Sequence, residues 1–425
     1  MKKIFFALIG CISALYAHAA QIANIEYVHK MIEHKWDITV PYNPTLSNVK
    51  SMANMKYLLT AIDVANEILN GEPTTDYGNG EFATLQAADT TATNTAVETL
   101  IKKEQKHEFT LTTTDDTDSF SFSISAAGEF VVDWGDGTVE TITKPDTTDT
   151  TYTHNYDTAD EYTIGLSGQA TAYNTNYYIA AIRFDVVPSP KKIASIDGSL
   201  GAIFGTLSSD TNNQPRFYST FHNASNMTGS IPANLFAGIS GAPAKGMFYS
   251  TFYGCSGLTG AIPDGLFGNL TGAPASYMFY GTFYNCSGLT SIPSDLFAGI
   301  SGAPASSMFY GTFYGCSGLT GAIPDGLFSG ISGAPAERMF YQTFHRCSGL
   351  ISIPENLFGN ISGTAQSGMF FNTFANCTSL TGPSARLNGQ YLYEIWPNAT
   401  SDQVGDMYYG ASKLSDYSTM PTVWK

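Results

Sequence analysis

The sequence predicts a multidomain α+β protein with a small helical N-terminal segment, a β-sandwich, and a curved solenoid. Each coil of the solenoid is expected to hold one short strand and one helix in 30 or 31 residues. The chain has 425 residues, enough for two or three domains, and 43% of them are apolar, enough for packed cores. A middle segment alternates apolar and polar residues, and the C-terminal half repeats itself, so each part has its own periodic signal.

Residues 1–19 have the features of a secretory signal peptide. Lys2 and Lys3 precede a short apolar stretch, and small residues precede Ala20, which is the expected cleavage pattern. A buried helix, or a lipoprotein signal that ends at Cys11, is the alternative interpretation. No later stretch reaches the roughly 20 apolar residues that span a bilayer. The mature chain is therefore predicted to be extracellular or at the cell surface, without a transmembrane segment; its mode of anchoring, if any, is open.

Two segments separate the signal peptide from the first β-rich region. Residues 20–70 place apolar side chains at helical spacing around a break at Pro41 and Pro44, and they predict a small helical segment. Its role could be anchoring, self-association or simple spacing. Residues 71–106 are rich in Thr, Ala, Asp and Gly with little periodicity, which predicts a linker.

Residues 107–190 predict a β-sandwich, because short alternating runs such as Phe120–Ile124 are separated by turn-forming residues. Within Val132–Thr138, Trp134 supplies an apolar anchor and the following Gly-Asp-Gly permits a tight turn. Together with Tyr152–Tyr156, this segment resembles the PKD domain, an immunoglobulin-like module of surface proteins. The resemblance covers about 80 residues and implies an immunoglobulin-like sandwich.

Asp133 and Asp136 flank this turn. Paired carboxylates on a turn can bind calcium, so these two residues are the candidate metal ligands. A third oxygen ligand at a suitable spacing is not apparent in the sequence. The prediction is therefore that the protein has no metal and no cofactor.

Residues 191–425 contain five copies of one unit, whose methionine and cysteine recur at intervals of 31, 30, 31 and 30 residues. Met, Phe, Thr, Phe and Cys at offsets 0, 1, 4, 5 and 8 predict one face of an α-helix, and the Gly-Leu-Thr-x-Ile-Pro segment that follows predicts a short strand. A single unit cannot bury its apolar face alone, so stacked units are expected to share one core. Helices need more room than strands, which predicts a curved stack. The extra residue of the longer units predicts an irregularity at Gly260–Ala261 and Gly321–Ala322.

The spacing Phe-x-x-Cys-x-x-Leu-x-x-Ile-Pro resembles the leucine-rich-repeat surface antigens of the BspA type, over residues 193–425. These units are longer than that family's usual repeat, by an insertion that carries Phe-x-x-Ile-Ser-Gly-Ala-Pro-Ala. The resemblance implies a leucine-rich-repeat-like solenoid and adhesion to host or matrix molecules.

Residue chemistry argues against several functions. The net charge of −16 disfavours a nucleic-acid partner, because phosphate binding needs clustered Lys and Arg. The five repeat cysteines share one position in the unit, which favours a column of buried free thiols over disulfides. Histidines stand apart from any recognisable nucleophile motif, and the acidic residues of the repeats are isolated. The protein is therefore predicted not to be an enzyme.

Two sets of repeat residues are candidate ligand contacts. A tyrosine stripe could grip sugars or proteins through flat apolar ring faces and polar tips, although the same residues could simply cover seams beside the core. The second set would lie along the inner strand face, where curved repeat proteins tend to bind. The candidates are Tyr249, Tyr253, Tyr280, Tyr284, Tyr310, Tyr314 and Tyr341 in the first set, and Thr259, Thr290 and Thr320 in the second.

Taken together, the sequence predicts a secreted or surface-displayed bacterial binding protein of the adhesin type, whose repeats recognise a host or matrix protein or a glycan. Its oligomeric state is left open. An exported glycan-active enzyme or its accessory subunit is one alternative. A structural surface-layer component is the other.

Overall fold

The computed structural model describes residues 107–425, which form one compact unit. The predicted signal peptide, the alternative lipoprotein site at Cys11, the helical segment (20–70) and the linker (71–106) lie outside the described residues. The boundary predicted between residues 190 and 191 falls inside the compact unit.

Eight strands open this unit, and they form two antiparallel sheets. The strands are β1 (Phe109–Thr113), β2 (Thr117–Ile124), β3 (Ala127–Asp133), β4 (Val139–Lys144), β5 (Thr150–Asp160), β6 (Thr163–Ala172), β7 (Ile182–Arg183) and β8 (Ile193–Gly198). One sheet has the order β4-β3-β6-β1-β8 and the other has the order β5-β2-β7. The alternating runs of the sequence therefore lie on strands, as their period of two predicts.

Aromatic side chains fill the space between these two sheets. The ring of Phe122 lies 5.4 Å from that of Trp134 and 5.9 Å from that of Phe184. Trp134 is buried, as expected for the anchor of the turn after β3. Its carbonyl accepts a hydrogen bond of 2.9 Å from the hydroxyl of Tyr156, so the polar tip of a second buried ring is satisfied.

The β-sandwich and the repeats share one hydrophobic core. Phe221, in the first repeated segment, stacks on Phe184 at 5.4 Å and lies 6.2 Å from Phe109 of β1. The backbone is also continuous, because the amide of Phe184 donates to the carbonyl of Thr220 at 2.7 Å. Strand β8, which the sequence placed within the repeat region, pairs with β1 of the sandwich. These two regions are thus parts of a single packed body.

The repeats do not contain the predicted helix. Among residues 107–425, helices are limited to five segments of three or four residues: α1 (Leu200–Ile203), α2 (Leu392–Ile395), α3 (Ser401–Val404), and 3-10 turns at Ser189–Lys192 and Thr422–Trp424. The predicted α+β class is therefore wrong for this part of the chain, which is β-rich with several small sheets. We withdraw the leucine-rich-repeat-like solenoid built from one helix and one strand per coil.

The segment expected to be helical is instead a run of turns with a period of four residues. Gly246, Ser250 and Gly254 all have positive φ, at 64°, 53° and 75°. The amide of Tyr249 donates to the carbonyl of Gly246, and that of Tyr253 to Ser250, each at 3.2 Å and three residues back. Apolar offsets of 0, 1, 4, 5 and 8 fit a period of four residues as well as the helical period of 3.6. The apolar pattern is therefore compatible with a helix and cannot distinguish it from this run of turns.

Amides between these turns donate to the following unit. The amide of Phe248 donates to the carbonyl of Met278 at 2.8 Å, and that of Phe252 donates to Thr282 at 2.9 Å. Later units repeat this ladder. In an α-helix these amides would bond within their own segment. The predicted reason for curvature, a helix wider than a strand, is therefore absent from the described repeats.

Short strand pairs join the remaining parts of the described units, and three of the four pairs between named strands are parallel while the last is antiparallel. The structure confirms irregular pairing at both predicted insertions, where the strand register shifts. Gly260 and Gly321 have φ of 80° and 83° at these points, a backbone that glycine adopts without strain. The strands are β9 (Gly260–Ala261), β10 (Leu289–Ser291), β11 (Gly321–Ala322), β12 (Ser332–Gly333), β13 (Leu350–Ser352), β14 (Asn360–Ile361), β15 (Arg386–Leu387) and β16 (Gln390–Tyr391).

Equivalent side chains of successive units form columns in the interior, and the prediction of one shared core is confirmed. In the longest column the aromatic rings of successive units are nearly parallel, and their centroids are 5.4–5.7 Å apart. It consists of Phe221, Phe252, Phe283, Phe313, Phe344, Phe374 and Tyr408. Each interior ring of the column lies between the equivalent rings of the two adjacent units, so the removal of one interior ring disturbs three units.

Buried threonine and cysteine side chains form hydrogen bonds between adjacent units beside these columns. The hydroxyl of Thr282 donates to the carbonyl of Phe248 at 2.8 Å, and the thiol of Cys286 donates to that of Phe252 at 3.0 Å. Equivalent bonds recur in every unit. The five repeat cysteines are free and buried, which confirms the predicted thiol column.

These buried thiols are expected to be inert in the folded protein. Burial raises the pKa of the Cys316 thiol to about 12, so the reactive thiolate does not form at pH 8. We expect Ellman's reagent at pH 8 to label none of the five within minutes, and to label all of them after guanidinium unfolding. Rapid labelling of even one thiol in the native chain would contradict the inward placement of this column.

Candidate functional site

Two rows of aromatic side chains run along the outside of the repeats, one residue after each buried phenylalanine. Neighbouring rings in the first row are 4.3–5.0 Å apart, and those in the second are 4.1–4.8 Å apart. The first tyrosine row is Tyr218, Tyr249, Tyr280, Tyr310, Tyr341 and Phe371; the second is His222, Tyr253, Tyr284, Tyr314 and His345. The structure thus brings together all seven tyrosines predicted from the sequence.

The stacking decides which part of each tyrosine a ligand can reach. Tyr280 is nearly parallel to Tyr249 and Tyr310, at interplanar angles of 3° and 11°. Both of its faces therefore contact neighbouring rings, and the side chain is half-buried. A sugar or protein ring cannot lie flat on an interior member of the row. The ring edges and phenol hydroxyls are what the rows present, in contrast to the flat faces expected from the sequence.

The phenols of Tyr249 and Tyr280 stay protonated at neutral pH. Burial, together with neighbouring tyrosines, raises the pKa of Tyr249 to about 12, and the same causes raise that of Tyr280 further. Each hydroxyl can therefore donate and accept a hydrogen bond. The first row offers a ligand a line of neutral polar groups.

Histidines at both ends of the second row replace tyrosine without adding charge. Burial lowers the pKa of His222, and burial next to Arg346 lowers that of His345 to about 4. The Nδ1 atom of His345 is buried without a hydrogen-bond partner within the described part of the chain. Both imidazoles are therefore neutral at physiological pH and take the place of a tyrosine ring in the stack. Neither has the partners of a general base.

The threonine set occupies a separate exposed row on the short strands. Thr259, Thr290 and Thr320 are exposed, and the hydroxyl of Thr259 reaches the carbonyl of Gly229 at 3.4 Å. Ile351 stands at the equivalent place in the next unit, where about half of it is exposed. This row is a second regular surface with small hydroxyls rather than aromatic edges.

The candidate calcium ligands have other partners. Asp133 accepts a hydrogen bond of 2.9 Å from the amide of Gly135, and Asp136 accepts one of 2.8 Å from the amide of Thr138. The second oxygen of Asp136 lies 2.7 Å from Nε2 of His154. Asp133 and Asp136 therefore accept hydrogen bonds within the turn, and Asp136 also contacts His154. Between residues 107 and 425, no group of three or more His, Cys, Asp or Glu side chains is placed to hold a metal ion.

One combination of polar residues was missed by sequence reasoning. Nδ1 of His107 lies 3.1 Å from the hydroxyl of Ser167, and its Nε2 lies 3.5 Å from Asp133. These residues come from three separate parts of the chain, so no local motif signals them. A nucleophilic serine must be open to a substrate, whereas Ser167 is buried in β6, which pairs on both sides with β3 and β1. We interpret the contact as an anchor for the start of β1.

A cleft of about 280 Å³ lies between the first two units, around Phe236 and Phe267. Its lining is mainly apolar, with Asn234 and Asn269 as the polar side chains. Small-ligand sites combine apolar walls with several convergent polar groups. The cleft therefore offers less for recognition than the tyrosine rows do.

Comparison of this chain with protein-family models, curated proteins and solved structures gives no match. In the part of the chain that the structure describes, no helix has the length and apolar character needed to cross a membrane.

Proposed function

We propose that this chain is an exported binding protein of the adhesin type, whose repeats recognise a protein or a glycan outside the cell. The observation that carries the proposal is the first tyrosine row. Its rings lie outside the core, and the fold accepts Phe371 at the same position, so the stack itself does not require the hydroxyls. A line of neutral hydroxyls at a fixed spacing is a surface suited to an extended ligand.

Rigidity supports this proposal. Successive units are joined by backbone hydrogen bonds and by stacked rings, so hydroxyls on the surface keep their spacing without a ligand. A surface ordered in advance loses less conformational entropy on binding than flexible side chains do. Within residues 217–337 the surface carries a single basic residue, Lys245, which suits contacts made mainly through neutral groups.

The surface-layer alternative is less favoured by the ends of the repeat region. The sandwich packs on the first segment through Phe184 and Phe221, and Trp424 is buried at the other end. Open-ended stacking of chains needs exposed, complementary ends. Side-by-side assembly would still use the tyrosine or threonine rows, and it would appear as self-association without a ligand.

The proposal is tested with the purified full chain on a panel of immobilised matrix proteins and polysaccharides. A triple variant, Tyr249→Phe, Tyr280→Phe and Tyr310→Phe, keeps the stack and removes three hydroxyls. We expect it to weaken binding at least about tenfold, since a hydrogen bond contributes about 0.5–1.5 kcal/mol and 1.4 kcal/mol is tenfold.

The matched control is a triple variant of the other exposed row, Thr259→Val, Thr290→Val and Thr320→Val. It should retain the affinity of the wild-type chain. Binding lost only in the threonine variant would move recognition to that row and contradict the proposed site. A chain that binds nothing on the panel, or that turns over a polysaccharide, would contradict the adhesin function itself.

A further inference from the structure

A cluster of four tyrosines and one lysine lies at the start of the first tyrosine row. Tyr178 is 55% exposed, and its ring meets that of Tyr218 nearly at right angles, with centroids 5.9 Å apart. Tyr177 lies beside Tyr178 at 3.9 Å and is nearly parallel to Tyr277 at 6.3 Å. The ammonium of Lys245 lies 3.9 Å from the centre of the Tyr177 ring. Here, unlike in the interior of the row, aromatic surface is open to a ligand.

Two members of the cluster depart from the repeat pattern. Lys245 and Tyr277 lie just before the methionine of a unit, at positions where two other units have only small residues, as at Ser306 and Ser307, and a third has Glu337 and Arg338. The stacking of units therefore does not call for a lysine or a tyrosine there. Lys245 and Tyr277 belong to adjacent units, and both lie near Tyr177 of the same loop.

The loop that carries Tyr177 and Tyr178 is held rigidly. The buried guanidinium of Arg216 donates to the carbonyl of Asn174 at 3.0 Å and to that of Lys245 at 3.2 Å, so it ties the loop to the repeat. Within the loop, the side chain of Asn176 accepts a hydrogen bond of 3.1 Å from the amide of Tyr178. Arg216 is a positioning residue that fixes the distance between the rings and the ammonium.

The chemistry of the cluster limits what it can bind. The open rings suit the apolar C–H face of a pyranose, and a lysine ammonium pairs with an anion. Lys245 is exposed, and within residues 107–425 its ammonium contacts the Tyr177 ring but pairs with no carboxylate. The chain has a net charge of −16, but at physiological salt this repulsion is screened beyond about 8 Å. A sugar that carries one carboxylate meets both requirements.

We propose that this cluster is a subsite for a uronic acid residue of an acidic polysaccharide. The pyranose ring lies against Tyr178 and the carboxylate pairs with Lys245. The rest of the polymer continues along the hydroxyls of the first tyrosine row, which Tyr218 joins to the cluster. This inference rests on the proposed binding function and names its ligand class.

The experiment compares polygalacturonic acid with its fully methyl-esterified form, which has the same rings without the charge. Binding of both polymers to the full chain is measured by calorimetry at 0.15 M salt. We expect the wild-type chain to bind the acid about tenfold or more tightly than the ester. The Lys245→Ser variant, which introduces the serine that three of the other units have at this position, should lose this preference. The Tyr178→Ala variant should weaken binding of both polymers about tenfold.

The control is Tyr409→Ala, which removes a tyrosine of equal exposure, 56%, near the other end of the chain. It should bind both polymers like the wild type. Equal wild-type affinity for acid and ester, or a preference that survives Lys245→Ser, would overturn the uronate subsite. If the chain instead binds a panel protein or a neutral glycan through its tyrosine row, the proposed function stands while this subsite fails.

Discussion

Replacing Phe283 with alanine is expected to lower the free energy of unfolding by about 3–5 kcal/mol, the cost of a cavity left by a buried phenylalanine. Its ring lies between Phe252 at 5.6 Å and Phe313 at 5.7 Å, in the middle of the longest column. The cavity cannot close easily, because backbone hydrogen bonds hold the units on both sides in register. Urea denaturation followed by circular dichroism measures the change.

The neighbouring residue supplies the control. Tyr284 follows Phe283 in the chain and is stacked at 4.1–4.4 Å, but it lies outside the core and is only half-buried. Tyr284→Ala should cost about 1–2 kcal/mol, which is less than the Phe283 effect. Equal losses for the two variants would show that the outer row, and not the inner column, carries the stability of the repeats.

Replacing Trp424 with alanine is expected to have the second large effect, also about 3–5 kcal/mol. Trp424 is almost fully buried, and its carbonyl accepts a hydrogen bond of 2.9 Å from the amide of Tyr408, the last ring of the column. The segment that carries Trp424 packs on the unit that contains Tyr408 and covers its apolar face. Loss of the indole uncovers that face, and we expect self-association in addition to lower stability.

Sedimentation velocity and urea denaturation together test this second expectation. Tyr409→Ala serves as the control, because it removes an exposed ring beside Tyr408 without opening the core. A Trp424→Ala chain that stays monomeric and unfolds at the wild-type midpoint would show that another segment closes the stack.

Several features were predictable because they depend only on residue type and interval. The repeat period follows from the methionines and cysteines, and the buried set follows from which side chains avoid water. The burial of the free thiols follows from their identical place in every unit, and all five are buried without a disulfide. The alternation of Phe120 and Phe122 likewise identified β2.

The helix prediction failed because the apolar pattern does not report where an amide bonds. Over nine residues, a period of four and a period of 3.6 bury the same side chains. A distinguishing signal was present in Gly281 and Asn285, which stand four residues apart and both have positive φ, at 58°. Glycine and asparagine tolerate that conformation better than other residues, and a helix interior does not use it.

The candidate sites also differ in whether the sequence could predict them. The tyrosine rows could be predicted because their members share one place in the unit. The cluster around Lys245 could not be, because Tyr177 and Tyr178 come from a loop of the sandwich that Arg216 holds against the repeats. The same is true of the contact between His107 and Ser167.

The order of the residues alone established the period, the buried side chains and the outward tyrosines, since water excludes the same apolar groups whichever backbone carries them. The tertiary structure decided whether the backbone amides of the turn segments donate within their own segment or to the next unit. A bond to the next unit can form only when that unit is packed alongside. The tertiary structure also joined the sandwich to the repeats and placed the exposed ring of Tyr178 beside Tyr218 at the start of the first tyrosine row, whereas an interior ring such as Tyr280 is covered on both faces by its neighbours.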